Sequence, residues 1–313
     1  MLTRTLGRTD VRLSEITLGT WGLASGAYGP VDASRYEAVV KEAWEKGVTT
    51  FDVAPLWGDG ESEWRTTAAL GEHAKDAVFI SRAGQVKDGA AISGRFDSQA
   101  LIEAVEASLT RLRRDRIDVL LLHDPPLKVL QSDLFQKGVE HLIASGKIRA
   151  WGASVVTTED AKTAMEKGAS ALGIAHHLLE PHVLHDLGAG LKQYGCGVIV
   201  RSPLCYGLLA GAWSEETEFP ETDHRSRRWD RSAFDVRLSQ MDDLRFLVHD
   251  GVPDLATAAL RFALISPFVG TVCVGARTTA QIAHAALASR EPPYLPDEDV
   301  ARVMGKRGAS KPG

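Results

Sequence analysis

The sequence predicts an α/β fold, a (β/α)8 TIM barrel with an N-terminal hairpin and long βα loops at its C-terminal face, in one domain spanning residues 1–313. Three observations predict it. Short apolar runs alternate with longer amphipathic stretches along almost the whole chain, and parallel strands need such a crossover between neighbours. The count is eight strand–helix units, which favours closure of the sheet over an open one. No Pro/Gly/Ser-rich linker divides the 313 residues, a length common for a single α/β barrel.

The elements follow in order. Residues 2–14 precede the first unit and read as a hairpin turning at Gly7. Strands are expected at 16–20, 48–53, 77–82, 117–123, 148–154, 171–175, 197–201 and 270–275. Of these, 117–123 is the most continuous apolar run, broken only by Asp118 before its closing His123. Helices are expected at 33–45, 62–72, 98–112, 133–144, 158–167, 184–193 and 234–249, several stopping at a glycine such as Gly47 or Gly146. Residues 210–231 are polar and charged and too long for a tight turn, as expected of a lid or binding loop. The run 111–116 reads as a solvated helix end, and residues 306–313, rich in Gly, Ser and Lys, are expected to be disordered.

Composition narrows the function. Hydrophobic residues make up 44% of the chain and charged residues 25%, an ordinary globular balance. A net charge of −5 offers nucleic acid or an anionic membrane no broad attraction, so neither is an expected partner. Cys196, Cys205 and Cys273 form neither an even disulfide set nor a metal-ligand spacing, which points to a reducing cytoplasm. Neither a signal-peptide core nor a run of about 18 apolar residues is present. His176, His177, His182 and His185 match no zinc spacing, and no metal is expected.

In a barrel the chemistry gathers where the strands end, because the following loops share one mouth. That rule selects Asp52, Arg82, His123, Ser154 and Arg201. A charged or imidazole side chain closing an apolar strand is costly to bury alone, so five at corresponding ends argue for a site. Arg201, Arg225 and the turn at Gly207 can cradle a pyrophosphate. Trp21, Tyr28, His177 and Tyr206 are the candidate substrate-pocket residues, with Trp151 a further candidate near the mouth.

These positions also carry a resemblance. The stretch Phe51-Asp52-Val53-Ala54-Pro55-Leu56-Trp57-Gly58-Asp59-Gly60-Glu61-Ser62-Glu63 is similar to the aldo-keto reductase signature that begins at a catalytic aspartate. Leu18-Gly19-Thr20-Trp21, Leu121-Leu122-His123-Asp124-Pro125, Gly152-Ala153-Ser154, Arg201-Ser202-Pro203-Leu204 and Gly275-Ala276-Arg277 resemble further motifs of that superfamily, in the right order. The resemblance implies a hydride passing from NADPH to a carbonyl while a tyrosine, tuned by a lysine paired with the aspartate, protonates the oxygen and a histidine orients it. Carried over, Asp52 and His123 match. Trp57 stands for the tyrosine and Arg82 for the lysine. An indole N–H can polarise an oxygen and cannot protonate it. Arginine stays charged and is expected to pair rigidly with Asp52.

The resemblance divides the cofactor positions. Ser154, Ser202, Leu204, Gly207, Gly275, Arg277 and Gln281 match cofactor-side residues of the superfamily. Val155 and Gly173 stand where amide side chains would hold the nicotinamide, and His284 and Ala285 replace an acidic residue and an asparagine. NADP(H) is thus kept at its phosphate end and lost at its reacting end. Three functions follow for a small-molecule substrate. One is non-redox acid–base chemistry on a carbonyl or carboxylate compound with His123 moving the proton. The second is an NADP(H) oxidoreductase with a rewired proton path, and the third a non-catalytic nucleotide or ligand sensor.

Overall fold

A computed structural model describes residues 1–89 and 91–305. The first chain segment pairs β1 (Thr3–Thr5) with β2 (Arg12–Ser14), the expected antiparallel hairpin. The barrel strands are β3 (Ile16–Gly19), β4 (Thr50–Asp52) and β5 (Val78–Ala83). A second hairpin, β6 (Gln85–Asp88) with β7 (Ala91–Gly94), interrupts the rhythm before β8 (Ile117–Leu122), β9 (Ile148–Val155), β10 (Ala171–Ala175), β11 (Gly197–Arg201) and β12 (Val269–Gly275). The eight barrel strands run parallel and in chain order, and β12 closes on β3 through Val272↔Ile16 to Gly275↔Gly19.

Alternation decides which side chains fill the barrel. Ile80, Val119, Leu121, Ala150, Ala171 and Ile199 cluster with Leu6, Val11 and Leu13 of the N-terminal segment, so the hairpin plugs the end opposite the mouth. Gly7 makes that plug fit. Its φ is +53°, and an added Cβ would lie 2.4 Å from the Gly195 carbonyl oxygen. The plug is tied to the C-terminal segment by buried Glu15, which accepts hydrogen bonds from Arg4, Ser289 and Tyr294. A cleft of about 560 Å³ beside this joint is lined by Arg4, Ile265, Pro292, Tyr294 and Val300, far from the mouth. Both carboxylate oxygens of Glu15 are taken by its bonds to Arg4, Ser289 and Tyr294, which makes this contact a structural joint.

Outside the barrel, helices begin where an aspartate is free to cap them. Asp32, Asp97, Asp230 and Asp254 each accept a backbone N–H of the first turn, worth about 1 kcal/mol apiece. Asp118 interrupts an apolar strand because it faces outward between strands, accepting from Phe79 N–H and from Arg149 at 2.9 Å each. Three expectations need correction. The helix expected at 133–144 begins later, at Gln136–Ala144, and a separate short helix, Leu127–Gln131, precedes it across Ser132. The one at 234–249 is Arg231–Asp242 followed by a short turn at Arg245–Leu247. Trp151 is buried in the outer layer against Phe135 and does not reach the mouth. The tail at 306–313 lies outside the described residues.

Candidate active site

Strand ends place the four central side chains together. Asp52 closes β4 and Arg82 lies near the end of β5, both almost fully buried. The guanidinium grips the carboxylate with both arms, Nη1 on Oδ1 and Nη2 on Oδ2, the latter at 2.9 Å. Burial pushes Arg82 toward its neutral form, yet the charge and hydrogen bonds of Asp52 outweigh it and leave the guanidinium more firmly protonated than usual. The Cys273 thiol, from β12, donates to Asp52 Oδ2 at 3.2 Å. Burial, then the Asp52 charge, pushes that thiol well up, so it stays protonated.

Trp57 lies on the turn after β4, where Gly58, Asp59 and Gly60 all take positive φ. A Cβ on Gly58 would lie 2.7 Å from the Ala24 carbonyl oxygen, and Ser62 Oγ staples the turn by donating to Ala54 O at 2.7 Å. The indole is thereby laid on Arg82, with Cζ 4.6 Å from its ring centre. His123 follows β8 and meets the indole edge-on, ring centres 6.4 Å apart. Burial first, then the Arg82 charge, holds His123 down at about 3. The expectation that His123 moves the proton meets an imidazole that stays neutral at physiological pH. The quartet can polarise an oxygen with N–H donors and a fixed cation, and it holds no proton to release near pH 7.

Beside the quartet, Ser154 Oγ at the end of β9 donates to Asp124 Oδ1. Arg201, closing β11, reaches over β10 to donate from Nη2 to Val155 O at 2.8 Å, and its Nη1 lies 3.6 Å from Asp124 Oδ1. Gly173 leaves that span clear, and a Cβ there would sit 3.3 Å from Leu121 and Ser154. The Ser154 hydroxyl expected to meet a nicotinamide gives its proton to Asp124 and keeps only acceptor capacity toward an amide. Val155 is a buried apolar side chain and Gly173 offers none. The nicotinamide end therefore offers that group one hydroxyl acceptor and no amide side chain.

The phosphate-side residues occupy the ends of β11 and β12. Ser202 has φ +53° and Gly207 φ +103°, the latter facing Trp213. Leu204 packs between the two main apolar clusters. Gly275 faces open space. Gln281 accepts the Arg277 N–H at 2.7 Å. The Arg277 guanidinium donates to the carbonyls of Tyr28, Gly29 and Pro30, so it must release them to take a phosphate. Arg225 grips Asp223 and lies over the rings of Tyr28, Trp213 and Phe219 at 4.8, 5.4 and 4.5 Å. The donor set suits an anion in kind, with its strongest donors already occupied.

The expected lid is irregular between β11 and the helix Arg231–Asp242, with a short turn at His224–Arg227. It is seated by His224, whose N–H donates to Ala27 O at 2.7 Å and whose ring packs on Trp21, Tyr28 and Tyr206. Trp21, Tyr28 and Tyr206 thus gather around one imidazole. Burial pushes Tyr28 up to about 12, which makes its phenol a weaker acid than a free tyrosine. Arg228 caps Tyr206, 3.2 Å from its ring centre. His177 is buried apart from the quartet, its nearest charges being Arg237 and Arg228. Asp124, His224 and Cys273 were not singled out from the sequence. Asp124 follows a strand-end histidine and Cys273 shares inward parity with Thr271, so the strand-end rule extended by one residue finds the first and parity the second. Nothing local marks His224, because only the packing of residues 210–231 against Trp21, Tyr28 and Tyr206 brings it to the mouth.

Side chains converging on the C-terminal mouth of an eight-stranded parallel barrel define the usual site of a barrel enzyme. Residues 15–307 match the aldo/keto reductase family, and the chain belongs to it. It is 26% identical to the aldo-keto reductase YhdN of Bacillus subtilis over 88% of this chain and 84% of that one. It is 25% identical to L-galactose dehydrogenase of Arabidopsis thaliana over 89% and 85% of the two chains. The solved glycerol dehydrogenase of Gluconobacter oxydans superposes with a TM-score of 0.83 at 26% identity, over 96% of this chain and 94% of that one. Among the described residues no helix is long and apolar enough to cross a membrane, and no group of three or more His, Cys, Asp or Glu is placed to hold a metal ion.

Proposed function

We propose that this chain acts on the carbonyl group of a small molecule, stabilising negative charge on its oxygen while a proton leaves the adjacent carbon. The observation that carries the reading is the quartet itself. Arg82 is held by Asp52 as a fixed buried cation under Trp57, beside a neutral His123, and none of the four delivers a proton near pH 7. Donors preset around a developing oxyanion suit enolisation, isomerisation or dehydration, which require charge stabilisation and no external electrons. In this reading His123 is a hydrogen-bond donor to the oxygen and not the proton carrier.

A second reading is NADP(H)-linked carbonyl–alcohol interconversion, the oxyanion meeting the same donors and its proton coming from solvent. Membership of the family and the dehydrogenase names of the relatives support it. The apolar Val155 and the bare Gly173, where amide side chains are expected, weigh against it. Fluorescence titration with NADPH and NADH separates the two. The expected result is no saturable change with either, together with enzyme-dependent exchange of protons next to a carbonyl. Tight NADPH binding with oxidation of the nucleotide by aldehydes replaces the first reading with the second.

A further inference from the structure

The carbonyl reading leaves a proton to be removed and no member of the quartet to take it. Asp124 stands one residue beyond His123 at the same mouth, and its charge acts on both His123 and Arg82. It has φ +43°, a left-handed conformation open to aspartate more than to most L-residues, and its carboxylate is held in place. Three strand ends hold it: β8 carries it, Ser154 on β9 donates to its Oδ1, and Arg201 on β11 brings Nη1 within 3.6 Å of the same oxygen. Arg201 is itself anchored by Val155 O. Oδ2 accepts no hydrogen bond among the described residues, and a third of the side chain is exposed.

On the enolisation reading above, we infer that Asp124 is the general base. Its Oδ2 takes the proton from the carbon next to a carbonyl whose oxygen rests against Arg82 and His123. The C–H electron pair becomes the C=C bond, and the carbonyl π pair moves to oxygen, where the N–H donors hold it. Once the proton on Asp124 has traded with solvent, return to the same carbon gives exchange. Where that carbon carries a hydroxyl, return to the former carbonyl carbon gives isomerisation, the hydroxyl proton passing through solvent to the oxyanion as the new carbonyl forms. A carboxylate suffices as base here because the oxyanion is stabilised independently of it. Ser154 and Arg201 are positioning residues that hold Oδ1 and turn Oδ2 outward.

The test follows loss of the C–H signals of dihydroxyacetone, acetoin and pyruvate in D2O by proton NMR. The intact protein is expected to accelerate exchange on at least one of them. Asp124→Asn, which keeps the Ser154 partner, is expected to slow it by about 10²–10⁴-fold with an unchanged melting temperature. It also removes the acid limb of the rate–pH profile, which a merely structural residue would leave in place. Ser154→Ala should give a smaller loss with that limb retained. If Asp124→Asn does not fold, Asp124→Gly suits the left-handed backbone and serves in its place. Exchange by either variant within threefold of the parent overturns the assignment of Asp124 and leaves the enolisation reading standing. No exchange by the parent on any of the three overturns that reading and this inference together.

Discussion

Acidification from pH 7 to about pH 4 is expected to unfold this protein, through histidines buried in their neutral form. Burial pushes His176 down to about 4, with the neighbouring His177 adding to it, and His177 itself to about 4, while His123 lies at about 3. In the unfolded chain each titrates near 6.5. Between 6.5 and those lower values the unfolded state binds protons that the folded state refuses, so stability is full above about pH 6.5 and falls as the pH is lowered. Each of His176 and His177 accounts for about 3 kcal/mol over that window, and the three together for on the order of 10. A typical domain has about 5–15 kcal/mol to lose. Urea midpoints by circular dichroism at neutral and acid pH measure it. His176→Phe, which keeps the ring against Phe262, should flatten the profile. A midpoint unchanged down to about pH 4.5 would mean that these imidazoles reach solvent.

Removing Arg82 is the second large effect. Arg82→Met leaves the Asp52 carboxylate buried with the Cys273 thiol and no cation, at a cost of about 3–5 kcal/mol. The same change removes the indole's cationic partner. Replacing both partners, Asp52→Leu with Arg82→Met, is expected to recover most of that loss, since two apolar groups leave no charge stranded. The double variant should then be stable and inactive. If the two single losses simply add, the pair is not coupled and the quartet is not a unit.

Much of this was legible in the sequence because barrels repeat one physical problem eight times. Apolar runs of strand length, crossover helices and strand-end polar residues identify the fold, and Asp52, Trp57, Arg82 and His123 meet as the motif order implies. The expected rigid Asp52–Arg82 pair is present, since both ends of that interaction are set by residue type. The hairpin of β6 and β7 was not legible. Its strands of four residues carry too little alternation to stand out from a loop.

What the sequence by itself determined is residue chemistry and its order along the chain: an indole where an acid is expected, an arginine where a lysine is, and eight strands that must close. Only the tertiary structure decided the charge state of His123, because desolvation and the field of Arg82 exist only once the strands are side by side. It alone decided that Ser154 serves Asp124 and that Arg277 is spent on the carbonyls of residues 28–30, since these partners lie 30 and about 250 positions apart in sequence. Hydrogen bonds go to the nearest good acceptor in space, and no local pattern encodes which acceptor that will be.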